Sequence, residues 1–107
     1  EFSRRFKKDV GLPVIVNGGF QEKTLIEEAL NSDSCDMVSM ARALIANPNL
    51  IEQFSQGKDA PDRPCTYCNK CVGRTPTSPL GCYDLSRFPS QRAMLDQIME
   101  WNRPDPA

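Results

Sequence analysis

The sequence predicts an α/β chain of two strand–helix units, followed by a cysteine-rich loop segment and a C-terminal helix. Three observations carry that prediction. Two short apolar runs, residues 13–16 and 35–40, are each followed by apolar residues at helical spacing, the pattern of βα units in a parallel sheet. Between residues 58 and 89 the helical period vanishes, and most of the prolines and four of the five cysteines fall there. Beyond Ser90 the helical period returns.

Each element has a local reason. Phe2 and Phe6, with basic residues around them, read as the last turns of a helix, and Gly11 as its stop. Pro13-Val14-Ile15-Val16 is wholly apolar, as expected of a strand buried on both faces of a parallel sheet. Asn17-Gly18-Gly19 ends it with a turn that admits positive φ. From Gln21 to Asn31, Leu25, Ile26, Ala29 and Leu30 recur at helical spacing, with Glu22, Lys23, Glu27 and Glu28 toward water. After the loop Asn31-Ser32-Asp33-Ser34, residues 35–40 form the second strand, in which Cys35 reads as a small buried hydrophobe. Residues 41–46 form a brief helix. Asn47 then caps a further helix with Pro48 at its first position, Leu50, Ile51 and Phe54 as its stripe, and Gly57 as its stop. Two strands do not make a stable sheet by themselves, so the unit reads as incomplete. The loop segment calls for an external staple, metal or disulfide. Ser90 caps the last helix, which carries Met94, Leu95, Ile98 and Trp101 on one face, and Asn102 to Ala107 form a frayed end.

Composition narrows the function classes. The 107 residues carry 13 basic and 14 acidic side chains for a net charge of −1, with 39% hydrophobic and 25% charged residues, a soluble globular composition. Near-neutrality argues against a nucleic-acid partner. The longest uncharged apolar run, Leu12 to Val16, is too short for a bilayer, and the charged N-terminus has no apolar segment of a signal peptide behind it. The absence of His removes the commonest general base and zinc ligand together. The uneven cysteine usage fits reduced thiols in a cytoplasmic chain with one local metal site better than a secreted disulfide scaffold.

Two sites stand out. Gly18 and Gly19 follow the first strand, where missing side chains let an anion approach backbone N–H groups. Ala41 and Arg42 follow the second strand and open the brief helix, offering a helix N-terminus and a guanidinium. Together these make a phosphate cradle; the plainer alternative is a tight turn and a solvated charge. The second site is Cys65-Thr-Tyr-Cys68-Asn-Lys-Cys71 with Cys82 further on. Three thiols at x₂ spacing plus a remote fourth suit an iron–sulfur cluster better than the paired spacing of zinc ribbons, with Cys₄ zinc and free or oxidised thiols as alternatives. No acid–base set is visible. Tyr67 and Tyr83 sit inside the cysteine segment, Glu27/Glu28 and Asp59/Asp62 read as solvated surface, and Ser39 lacks a base, so no catalytic residue is assigned.

Taken in order, Pro13-Val14-Ile15-Val16-Asn17-Gly18-Gly19-Phe20, Asp36-Met37-Val38-Ser39-Met40-Ala41-Arg42, Ala46-Asn47-Pro48-Asn49-Leu50 and Arg63-Pro64-Cys65 resemble the FMN-dependent NADH:flavin oxidoreductases, the old yellow enzyme family. The resemblance is to the branch with cysteine motifs that includes dienoyl-CoA reductase and trimethylamine dehydrogenase. It implies the end of an FMN-binding TIM (β/α)₈ barrel. Residues 1–58 would be the end of helix six, strand seven and its helix, and strand eight to helix eight; residues 59–89 the cysteine-rich segment; and residues 90–107 the C-terminal helix and tail. It further implies that Gly18, Gly19, Ala41 and Arg42 hold the FMN phosphate, and that Cys65, Cys68, Cys71 and Cys82 ligate a [4Fe–4S] cluster. Ala41 stands where the family has Gly, which suits a position of negative φ.

A complete barrel needs about 250 residues, so the resemblance makes this chain a C-terminal fragment, inactive alone. The parent would take a nicotinamide cofactor and a small-molecule substrate, passing hydride from NAD(P)H through FMN to an electron-poor alkene. The remaining barrel residues, or self-association, would cover the open sheet edges. The competing expectation is a stand-alone Cys₄ metal-binding or protein-interaction module without catalytic activity.

Overall fold

A computed structural model describes residues 1–106. Its elements run α1 (Phe2–Val10), β1 (Ile15–Asn17), α2 (Lys23–Asn31), β2 (Met37–Ser39), α3 (Arg42–Ala46), α4 (Leu50–Ser55), α5 (Lys70–Arg74), a 3₁₀ turn (Leu85–Arg87) and α6 (Gln91–Trp101). The architecture is mixed α/β. Strands β1 and β2 pair in parallel, with Ile15 opposite Met37, Val16 opposite Val38 and Asn17 opposite Ser39.

Helix ends follow the sequence signals. Gly11 closes α1 in the left-handed region at φ 66, and its N–H bonds the Lys7 carbonyl. Gly57, just past α4, has φ 91. The Ser90 side chain accepts from the Ala93 N–H and caps α6. At α4 the expected cap moves on: Asn49 is the N-cap, and the Asn47 side chain donates to the Arg63 carbonyl at 2.9 Å. Pro48 therefore precedes the helix instead of opening it.

Helix α2 is capped from a distance. Asp59 accepts from the Thr24 N–H at 2.8 Å and from the Thr24 hydroxyl, and its carbonyl accepts from the Lys23 N–H at 2.8 Å. Glu22, at the N-cap, makes no such bond. Asp59 is thus a structural cap, a correction to its reading as solvated surface, whereas Asp62 only pairs with Lys58. Helix α1 is tied on by Lys7, which pairs with Asp33 and, at 3.0 Å, with Asp36.

The core sits where α3 meets α4. Ala43, Leu50 and Phe54 cluster there, with Ile26, Met40 and Leu44 packed on them. Met94 and Ile98 of α6 are buried, while Leu95 and Trp101 of the expected apolar face stay exposed. Cys35 is buried, at 2% exposure. The expectation that the first strand is buried on both faces is corrected: Ile15 is 59% exposed and its partner Met37 51%. The reason is geometric. Helices pack against this two-stranded sheet without closing over both faces, and each strand keeps an outer edge unpaired.

Candidate functional site

The turn after β1 and the start of α3 lie side by side because β1 and β2 are parallel neighbours. Gly18 and Gly19 have φ values of 140 and 72, a region that L side chains rarely adopt. Nothing lies within 4 Å of the place a Gly18 Cβ would occupy. Asn17, Gly19, Phe20, Ser39, Met40, Ala41, Arg42, Ala43 and Tyr67 surround a cavity of about 40 Å³. That space suits a small anion and not a whole flavin, since cofactor pockets run to about 300 Å³ or more.

Ala41 has φ −118, so a residue without glycine's freedom fits there. Helix α3 is only five residues long, and no side chain caps it. The expected contribution of a helix N-terminus is corrected accordingly, because few aligned peptides leave little dipole. What the fold supplies instead is glycine backbone and the half-buried Arg42 guanidinium. Arg42 Nη1 donates to Asn69 Oδ1 at 2.8 Å, and the guanidinium lies 4.9 Å from the centre of the Tyr67 ring.

The cysteine segment comes next to the same arginine. Cys65, Cys68, Cys71 and Cys82 line one cavity of about 10 Å³ together with Arg42, Ile45, Ala46, Thr66 and Asn69. All five cysteines are free thiols. The Tyr67 N–H donates to Cys65 Sγ at 3.3 Å, an amide aimed at sulfur. Burial pushes the Cys71 thiol above its ordinary value, and the nearby Cys65 and Cys82 push the same way. The donor set is of the kind a soft metal takes. Among the described residues, however, no group of three or more Cys, Asp or Glu stands in an arrangement that could hold a metal ion. The four sulfurs share a cavity without closing on a common point.

Residues that periodicity did not flag hold this segment. The Gln21 side-chain amide clamps the Cys65 backbone, accepting from its N–H at 2.6 Å and donating to its carbonyl at 2.9 Å. Arg87, 7% exposed, donates to the carbonyls of Ala46, Arg63 and Pro64. Asp84 accepts from the Thr66 hydroxyl and from the N–H and hydroxyl of Ser86, with Lys70 at 3.9 Å. Those hydrogen bonds, Thr66 first, hold the Asp84 carboxyl below its ordinary value. The expected external staple is thus met by side-chain bonds to backbone. Helix α5 and the 3₁₀ turn also interrupt what read as continuous loop. An Asp-x-Ser turn signal at residues 84–86 was available in the sequence; the Gln21 and Arg87 clamps had none.

A flavin-family assignment follows from comparison with known proteins. Residues 1–60 match the model of the NADH:flavin oxidoreductase / NADH oxidase family, and the chain belongs to that family of oxidoreductases, whose cofactor is a flavin, FMN. A 4,4'-dithiodibutanoate disulfide reductase of Rhodococcus erythropolis is 37% identical over 71 residues, covering 66% of this chain and 17% of that protein. An NADH oxidase of Thermoanaerobacter brockii is 32% identical over 72 residues, 66% of this chain and 11% of that protein. A multifunctional alkene reductase/demethylase of Caballeronia cordobensis is 35% identical over 66 residues, 62% and 10%. The chain therefore matches only a small part of these relatives' lengths. No solved structure matches it. Among the described residues, no helix is long and apolar enough to cross a membrane.

Proposed function

We propose that this chain is the C-terminal part of the flavin-binding barrel of a cytoplasmic FMN-dependent oxidoreductase. Residues 1–58 form the last two βα units of a TIM (β/α)₈ barrel, residues 59–89 the cysteine-rich segment, and residues 90–107 the closing helix and tail. The parallel β1–β2 pair and the exposed Ile15 and Met37 support the barrel reading, since parallel strands are ordinarily covered on both faces. Their covering would come from the remaining barrel residues or from a second copy. The family's coenzyme and substrates, a nicotinamide and an electron-poor alkene or related small molecule, belong to that larger assembly; no nucleic acid or membrane is involved.

The observation that carries this reading is the location of Arg42, which lines both the glycine cleft and the cysteine cavity. Gly18 and Gly19 let the FMN phosphate approach their backbone, Ala41 continues that backbone wall, and Arg42 donates hydrogen bonds to the phosphate while balancing its charge. Bound flavin supplies two-electron transfer between nicotinamide and substrate. Cys65, Cys68, Cys71 and Cys82, which line one cavity beside it, would have to draw their sulfurs onto a common point to ligate a [4Fe–4S] cluster, with zinc as the alternative occupant. The chain contributes binding and no proton chemistry, so alone it is inactive.

Flavin titration tests the phosphate reading: FMN should bind the full-length protein tightly, and Arg42→Ala should weaken FMN while leaving riboflavin, which lacks the phosphate, unchanged. Equal FMN affinity in both proteins sinks it. For the thiols, a brown protein releasing acid-labile sulfide supports the cluster, stoichiometric zinc supports the alternative, and neither refutes a metal site.

A further inference from the structure

Tyr67 and Asn69 flank Cys68 in the segment 65–71, and both reach Arg42. Their backbones sit in the left-handed region at φ 58 and φ 62, which few non-glycine residues occupy. That pair of left-handed residues puts the Tyr67 ring against the glycine cleft, while Asn69 lines the cysteine cavity. The Tyr67 ring stacks on the Arg42 guanidinium with 4.9 Å to its centre, and Asn69 Oδ1 takes one Nη1 proton at 2.8 Å. The Tyr67 hydroxyl also comes within 3.9 Å of where a Gly19 Cβ would be. Arginine carries five donors, so the remaining donors stay available to an anion in the cleft.

We propose that Tyr67 and Asn69 are positioning residues for the phosphate-binding Arg42: the cysteine loop, and not the barrel alone, sets the affinity of the glycine cleft for a phosphate group. The effect is entropic and geometric. A half-buried arginine on a one-turn helix samples many rotamers, and an anion must freeze them at a cost in affinity. Here the ring face confines the guanidinium on one side and the Asn69 bond holds one of its nitrogens, before any anion arrives. The inference rests on the phosphate reading above.

The test measures FMN and riboflavin dissociation constants for the full-length protein and its variants. Tyr67→Leu removes the stack and should weaken FMN about two- to fivefold. Tyr67→Phe keeps the ring and should restore most of that affinity. Asn69→Gly removes the amide while accepting the positive φ without strain, and should weaken FMN about three- to tenfold. Riboflavin affinity should not move in any of them. In an Arg42→Ala background neither change should weaken FMN further, because both act through the arginine. Unchanged FMN affinity in Tyr67→Leu and Asn69→Gly, with Arg42→Ala still weakened, overturns the proposal and leaves the phosphate reading standing. Equal losses for FMN and riboflavin also overturn it, since they mark general loosening of the loop. If Arg42→Ala itself leaves FMN affinity unchanged, the phosphate reading falls and this inference with it.

Discussion

Replacing Arg87 by Met tests what holds the cysteine segment to the rest of the fold. The side chain is nearly buried and bridges three carbonyls: Ala46 at 3.0 Å, Arg63 at 2.6 Å from Nη2, and Pro64 at 3.0 Å. Methionine fills similar volume but donates nothing. The Arg63 carbonyl keeps the Asn47 amide at 2.9 Å, so it is not orphaned. Ala46, 1% exposed, loses its donor in a dry environment, which costs about 1–3 kcal/mol. Pro64 is exposed, and water replaces most of what its carbonyl loses. Against this, methionine removes a buried guanidinium whose Nη1 has no partner, and that relief returns part of the cost. The expected net destabilisation is about 2 kcal/mol. Urea unfolding followed by Trp101 fluorescence measures it, with a midpoint drop of roughly 1 M or more expected at ordinary slopes. An unchanged midpoint, or a more stable variant, would show that hydration and the buried charge outweigh the clamp and would refute this account.

Other predictions follow from single contacts. A Cβ on Gly81 would stand 2.7 Å from Cγ1 of Ile98, which is buried on α6, so Gly81→Ala should cost about 1–3 kcal/mol, and Ile98→Ala in the same chain should cost less than the two changes summed. Thermal melts of the four proteins measure this, and strict additivity would count against the clash. The Asp84 carboxyl is held below its ordinary value of 3.8 in the folded chain, chiefly by the Thr66 hydroxyl. Its contribution is therefore fully present above that value and is lost as pH falls through the lower folded-state value. Unfolding measured between neutral and strongly acidic pH should show a loss of stability below about pH 4 that Asp84→Asn reduces; identical profiles would exclude the residue from acid sensitivity. Cys35, at 2% exposure, should resist alkylation in the folded, metal-free chain while exposed Cys68 reacts, which mass spectrometry of labelled peptides would read.

Much of the backbone course was legible because its signals are local. Gly11 and Gly57 stop helices at positive φ, Ser90 caps α6, and the two apolar runs became the parallel pair, shortened to three residues each. The boundaries shifted where a side chain found a more distant partner, as when Asn47 turned to Arg63 and left the cap to Asn49. The cysteine segment was legible as a composition and not as a structure. Gln21 and Cys65 are 44 positions apart, and Arg87 and Ala46 are 41 apart. No period or spacing encodes such pairs, because they depend on how the helices bring separate loops together. The four cysteines line one cavity without closing on a common point, and the contact of their loop with Arg42 depended on two left-handed backbone residues that composition does not announce.

The uneven distribution of burial has a dynamic consequence. Helices α1 and α2 contain no buried residue, while α3, α4 and α6 supply the residues of the interior. Opening α1 exposes almost nothing that is not already wet, so its amides should exchange with solvent deuterium at close to the rate of an unstructured peptide. Amides of α4 and α6 should exchange only when the cooperative unit around Leu50 and Ile98 opens. In isolation α1 should therefore exchange ahead of α4 and α6, and on the proposed reading docking onto further barrel strands would register first as slowed exchange in α1 and β1.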